Sequence, residues 1–222
     1  MFFEAFSAFD NAILLFFHNL VTATSGSLNG VVSLVSSFGE HGIGFIAVSL
    51  VLMLFKRTRR VGVTMLGAVA VGAIFTNLIL KNAVMRTRPF ETTSTYFEWW
   101  QAAGGTPETE SSFPSGHTTA AFAFALALLL TAPKKWSWAG FVFAFIIAAT
   151  RLYLCVHYPS DVLFGIIDGL AGAMIAYFIV KVAYGIMFRY ADKKLIKFYF
   201  EFSVADFFRK KGKAENAETE KE

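Results

Sequence analysis

Three stretches of this chain hold residues whose types and spacing suit chemistry. "RLYLCVHYPSD", from Arg151 to Asp161, sets an arginine, a histidine and an aspartate at intervals of six and four residues. "KNAVMRTRP" runs from Lys81 to Pro89, and "FPSGH" from Phe113 to His117. Each stands at the end of an apolar run, where charge beside hydrocarbon is costly and marks function. Lys81, Arg88 and Arg151 supply positive charge and many N–H donors, and the planar fork of arginine matches phosphate oxygens. Ser115 is placed to cap a helix, and with the Gly116 amide it offers donors to an anion at a helix start. His117 and His157 can serve as nucleophile and proton donor. Asp161 can hold the His157 imidazole in one tautomer, as the aspartate of a serine protease triad does. Together these make a metal-free phosphoryl-transfer site in which cationic side chains neutralise the equatorial oxygens. A lone lysine at a span end snorkels, and a lone Pro-Ser-Gly is a turn. Three such motifs on one membrane face argue against both.

The elements that position them are membrane helices. The 222 residues are 55% hydrophobic and 16% charged, against about 45–50% and about 25% for a soluble domain. The expected fold is all-α, a polytopic helix bundle of five or six spans with an N-terminal interfacial helix. Residues 1–26 form that helix or a weak span, in which His18 has no chemical role. Residues 27–190 form the membrane domain, and 191–222 a basic cytoplasmic tail with a disordered, charged end. A span from Val31 to Phe55 must pass through "FGEHG", where Gly39, Gly42 and Gly44 can break it. Glu40 and His41 at that break read as a polar helix junction rather than a metal or catalytic pair. Further spans are expected over Val61–Asn82, Gly116–Ala132, Trp136–Cys155 and Val162–Phe188. Tyr96, Trp99 and Trp100, in the long polar loop between Pro89 and Ser112, read as interfacial anchors. Asp168 shares a helix face with Asp161; it is expected to hydrogen-bond within the bundle, toward Asn77, and not to act in catalysis. The one cysteine, Cys155, excludes an internal disulfide. The net charge of +4 is modest and the basic residues cluster at span ends, which suits membrane orientation and not nucleic-acid binding.

Short basic loops lie in the cytoplasm. These are Lys56–Arg60, Lys134–Lys135 and the tail from Arg189. All three motifs then fall on the opposite, extracytoplasmic side, where Lys81, Arg86, Arg88 and Arg151 run against the usual bias.

Lys81-x6-Arg88-Pro89, Pro114-Ser115-Gly116-His117 and Arg151-x5-His157-x3-Asp161 resemble the three signature motifs of the type 2 phosphatidic acid phosphatase superfamily. The likeness covers Lys81 to Asp161. It departs only at Thr150, where the pattern has serine, and threonine keeps the hydroxyl. The resemblance implies that His157 attacks phosphorus to form a phosphohistidine, oriented by Asp161, and that His117 protonates the leaving oxygen. It implies that Lys81, Arg88, Arg151, Ser115 and Gly116 hold the phosphate. Arg86 lies outside the pattern and is taken as an extra phosphate contact. No metal and no other cofactor is expected.

The expected protein is a lipid phosphatase of the bacterial cytoplasmic membrane, its partners the bilayer and a membrane lipid substrate. Undecaprenyl diphosphate comes first among substrates. Phosphatidylglycerophosphate, phosphatidic acid and lipid A phosphates follow. The competing class is a lipid-phosphate binding or transport protein that uses the cations only to hold its ligand.

Overall fold

The computed structural model describes residues 2–206, and every regular element among them is helical. A 3₁₀ turn at Phe3–Phe6 leads into α1, Ser7–Ala23. Next come α2, Asn29–Phe38, and α3, Ile43–Met53. The α2–α3 junction is the break expected at "FGEHG": a 3₁₀ turn at Glu40–Gly42 with φ of 48° at His41 and 71° at Gly42. The left-handed conformation at Gly42 is one that glycine adopts without a Cβ penalty.

α4, Arg59–Ala73, continues through a π-helical segment, Ile74–Leu80, into α5, Lys81–Val84. In an α-helix, residues five apart point about 140° from each other. The wider π turn, with its i→i+5 bonds, brings such residues onto one face. Ala73, Thr76, Asn77 and Lys81 accordingly all line one cavity. The short α6, Pro89–Thr92, and α7, Ser94–Ala102, follow in the long polar loop. The chain then crosses back and forth in α8, Gly116–Thr131, α9, Lys134–Tyr153, and α10, Pro159–Arg189, and ends its described part with α11, Lys194–Glu201. Residues 207–222, the charged end of the expected tail, lie outside the described residues.

The core is a bundle in which α8 and α10 pack against each other and against α4, with α9 on α8 and α3 on α4. Small residues set the spacing. A Cβ on Gly169 would stand 2.5 Å from the Thr119 carbonyl oxygen, and one on Gly165 would stand 2.8 Å from that of Ser115. Glycine at both positions lets the α10 backbone rest on α8. That contact carries Asp161, at the start of α10, up to the start of α8, where its carbonyl accepts the Ser115 N–H at 3.2 Å.

The stretches 29–53, 59–92 and 159–189 are each long and apolar enough to cross a membrane. α8 and α9 provide shorter apolar helices; the 16 residues of α8 reach about 24 Å. Leu78, Ile167, Phe178, Ile179 and Val182 are exposed on the outside of the bundle, as lipid-facing positions are. The chain is an integral membrane protein. α1 packs against α9 and α10 and buries Asp10, Leu14 and Val21. At the opposite end from the motifs, Arg59 donates to the Tyr199 and Phe202 carbonyls and Lys56 pairs with Asp206. The described part of the tail is thereby tied to the α3–α4 loop. Asp168 finds Thr76 and Thr119 as donors rather than the expected Asn77. Thr76 is fully buried at that level, facing α8 and α10, and takes the bond that sequence spacing assigns to Asn77.

Candidate active site

The three motifs converge on one cavity of about 650 Å³, lined by Lys81, Arg88, Gly116, His117, Arg151 and His157 among others. Local chain signals explain their aim. Arg88-Pro89-x-Glu91 and Tyr158-Pro159-x-Asp161 each put proline at the first helical position and an acid two residues later. Proline forces the preceding residue out of helix, and the acid accepts the N–H at the helix boundary. Arg88 N–H thus donates to Glu91 Oε2 at 3.3 Å, and Tyr158 N–H to Asp161 Oδ2 at 2.9 Å. Both helices start abruptly beside the cavity, with Arg88 and His157 just ahead of them.

His157 is 1% exposed. Its Nδ1 lies 2.7 Å from the Ser112 carbonyl oxygen, which accepts a hydrogen bond from the Nδ1–H. Nε2 therefore keeps its lone pair on the cavity side, where Arg88 Nη1 approaches to 3.4 Å. Burial, with Arg88 and Arg151 adding to it, pushes the imidazole well below the ordinary histidine pKa, so the ring is neutral. Sequence spacing assigns the hold on His157 to Asp161, but Asp161 Oδ2 stands 3.8 Å from Nδ1. It accepts instead from Ser112 Oγ at 2.5 Å and from Tyr158 N. Asp161 holds Ser112, and the Ser112 carbonyl holds the ring; the carboxylate acts on the imidazole through space.

Arg88 is 2% exposed and anchored by Nε to the Glu110 carbonyl at 2.8 Å and by Nη1 to the Val156 carbonyl at 2.9 Å. Arg151 donates by Nη1 to Ser36 Oγ at 2.6 Å, and its Nε has no acceptor among the described residues. Ser115 occupies the N-cap position of α8, but its hydroxyl makes no capping bond there. It accepts from Thr118 Oγ1 at 3.0 Å. A Cβ on Gly116 would stand 4.0 Å from Lys81 Nζ, so the ammonium lies against the helix start. His117 lines the cavity near the α2–α3 break, where a Cβ on Gly39 would meet its ring at 2.9 Å. Glu40 and His41 line the same cavity from that break.

Arg86, expected as an extra phosphate contact, donates to Asp161 Oδ1 at 2.5 Å, to Ser160 Oγ at 2.7 Å and to Asp10 Oδ2 at 2.9 Å. It lines not the main cavity but a neighbouring one, with Lys81 and Glu110.

Sequence inspection also misses two acids. Glu108 bridges the clamp, with Oε2 2.7 Å from Arg88 Nη2 and Oε1 paired to Arg151 Nη2. Glu110 pairs with Lys81. Burial raises the pKa of Glu108, but Arg151 and Arg88 outweigh it and hold the carboxyl below its ordinary value. The hydrogen bond and charge of Lys81 do the same for Glu110. The motifs themselves show no carboxylate cluster; the loop brings these two carboxylates to the cations. The only hint in the sequence is three glutamates after Glu91 in a loop otherwise rich in Thr, Ser and Gly.

Three cationic side chains, two histidines and a helix start in one pocket of a membrane bundle define a membrane phosphatase. Residues 61–190 match the PAP2 superfamily, and the chain belongs to that family of lipid phosphatases, which are phosphoric ester hydrolases. It is 33% identical over 158 residues to an undecaprenyl-diphosphatase of Sulfolobus acidocaldarius, covering 70% of this chain and 71% of that one. It is 31% identical over 156 residues to a decaprenylphosphoryl-5-phosphoribose phosphatase of Mycolicibacterium smegmatis, covering 70% and 81%. Its fold is similar to that of the PAP2-type phosphatidylglycerolphosphate phosphatase of Bacillus subtilis, with a TM-score of 0.53 at 24% identity, over 87% of this chain and 94% of the other.

Proposed function

We propose that this protein hydrolyses a polyprenyl diphosphate, undecaprenyl diphosphate first, at the extracytoplasmic face of the cytoplasmic membrane, without a metal. The observation that carries the mechanism is the pair of contacts on His157: Nδ1 on the Ser112 carbonyl, Nε2 toward the Arg88–Arg151 clamp. Nε2 attacks the terminal phosphorus, and the bond from phosphorus to the bridging oxygen breaks. His117 passes its proton to that oxygen, releasing the lipid monophosphate. Water then attacks the phosphohistidine, giving a proton to His117, and the P–N bond breaks to free inorganic phosphate. Lys81, Arg88 and Arg151 neutralise the equatorial oxygens, with the Gly116 amide and Ser115 at the helix start.

Two of the relatives above are named for polyprenyl-linked phosphates, which supports the substrate class. The basic α3–α4, α8–α9 and C-terminal segments support the orientation. A second reading, a polyprenyl phosphate bearing a sugar, is supported by the hydroxyls of Ser33, Ser36 and Thr106 among the residues that line the cavity.

The test is phosphate release by purified protein from farnesyl and undecaprenyl diphosphate, phosphatidic acid and phosphatidylglycerophosphate at matched surface concentration. Isoprenyl diphosphates are expected to turn over fastest. His157→Ala is expected to abolish phosphoenzyme and turnover, and His117→Ala to slow leaving-group departure by about 10²–10⁴-fold. Preference for a glycerophospholipid overturns the substrate and leaves the phosphatase standing. Wild-type activity in the His157 variant overturns the mechanism.

A further inference from the structure

The N-terminal helix delivers a buried carboxylate to the back of this site. Asp10 on α1 is 2% exposed, and it lies outside the residues that match the family, 61–190. Its Oδ1 accepts the Ser160 N–H at 2.8 Å, at the start of α10. Its Oδ2 accepts from Ser160 Oγ at 2.7 Å and from Arg86 Nη2 at 2.9 Å. Arg86 passes the connection on to Asp161 Oδ1 at 2.5 Å. The guanidinium itself is packed between the rings of Phe3 and Tyr158, with its carbon 4.1 and 3.8 Å from their centroids. A carboxylate taken out of water is costly unless paired and hydrogen-bonded, and Asp10 has both kinds of partner.

The arrangement has a consequence for charge. Behind the His157 ring stand Asp10 and Asp161 with one cation, Arg86, a cluster of net charge −1. In front stand Lys81, Arg88, Arg151, Glu108, Glu110 and His117. When Nε2 bonds to phosphorus, positive charge develops on the imidazole. The cations in front oppose that charge, and the negative cluster behind favours it. The bonds to Ser160 also hold the turn that carries His157, Tyr158 and Pro159.

We propose that Asp10 is a positioning residue for His157, setting the Arg86–Asp161 pair behind the ring and keeping that pair's surroundings negative. The proposal rests on His157 being the nucleophile.

The experiment compares wild type, Asp10→Asn and Arg86→Gln as purified full-length protein in micelles. The His157 ring is followed by NMR titration with labelled histidine, assigned by its loss in His157→Gln. Asp10→Asn makes the rear cluster neutral, so the titration midpoint is expected to move to lower pH. Arg86→Gln removes the cation that offsets burial at Asp161, so the cluster becomes more negative by less than a full charge, and the midpoint is expected to rise. A merely structural role gives no such opposite signs, and the Arg86 variant carries the test where Asp10→Asn fails to fold. With farnesyl diphosphate, Asp10→Asn is expected to lower kcat by about 10- to 100-fold and to leave KM within about twofold. It is expected to add nothing further in an Asp161→Asn background. Unchanged midpoints in both variants, or an Asp10 effect additive with that of Asp161, overturn the proposal. If wild type releases no phosphate from any lipid, the phosphatase assignment fails, and the midpoints still decide the role of Asp10.

Discussion

His157 Nδ1 is held by the backbone carbonyl of Ser112, at 2.7 Å, and not by a side-chain carboxylate. A carbonyl cannot be protonated in the working pH range, so the tautomer that exposes Nε2 does not depend on an acid's own titration. Burial, followed by Arg88 and Arg151, pushes the imidazole pKa well below 6.5. Attack needs the neutral ring, which a lowered pKa preserves as pH falls. The acid limb of kcat/KM, which reports the free enzyme, is therefore expected below pH 6.5. A pH–rate profile in the absence of bound phosphate checks this; an acid limb above that value contradicts it.

Glu108 spans the two arginines that a phosphate would occupy. In the proposed mechanism substrate displaces its carboxylate, which Arg151 and Arg88 favour in the ionised form. Glu108→Gln removes the competing charge. It is expected to lower KM, and the inhibition constant for inorganic phosphate, by about three- to tenfold, equivalent to about 0.6–1.4 kcal/mol. Steady-state kinetics with phosphate as competitor measure both. A raised KM means that Glu108 contacts substrate favourably.

Cationic side chains stand where magnesium stands in many phosphoryl-transfer sites. Activity is expected to survive EDTA, and vanadate is expected to inhibit competitively by imitating pentacoordinate phosphorus. Dialysis against chelator followed by assay with and without added divalent ions checks the first point. Strict dependence on an added ion contradicts the cationic clamp.

Thr95 and Arg57 are both exposed, on opposite ends of the bundle. The native Cys155 is buried and is the one cysteine of the chain, so it gives little background. A cysteine at Thr95 is expected to react with a membrane-impermeant maleimide on intact cells, and one at Arg57 only after lysis. The reverse pattern places catalysis in the cytoplasm.

The parts of the site that sequence made legible share a physical cause. Lys81, Arg88, His117, Arg151 and His157 are polar residues at the ends of apolar runs, where their cost is visible without coordinates. Pro89 and Pro159 with their following acids mark helix starts in the same way. Glu108, Glu110 and Ser112 were hidden because a loop has no periodicity to say which way its residues face. Asp10 was hidden because an acid in an aromatic-rich helix looks the same whether it meets water or Arg86. The partners of Arg86 were hidden because two residues of separation from Arg88 fixes proximity along the chain and not direction. The span Val61–Asn82 was expected to be regular, since nothing in its sequence marks the widened turn.

That widened turn, Ile74–Leu80, puts helical regularity and the lysine in opposition. Ordinary i→i+4 bonding over the same seven residues would be a local gain. It would also turn Thr76 and Lys81, five residues apart, to about 140° from each other, carrying the Lys81 ammonium off the cavity. Removing one residue instead would leave the two four apart on an ordinary helix, about 40° from each other, with the lysine still toward the cavity. At its present length the segment keeps Lys81 in place only by staying wide.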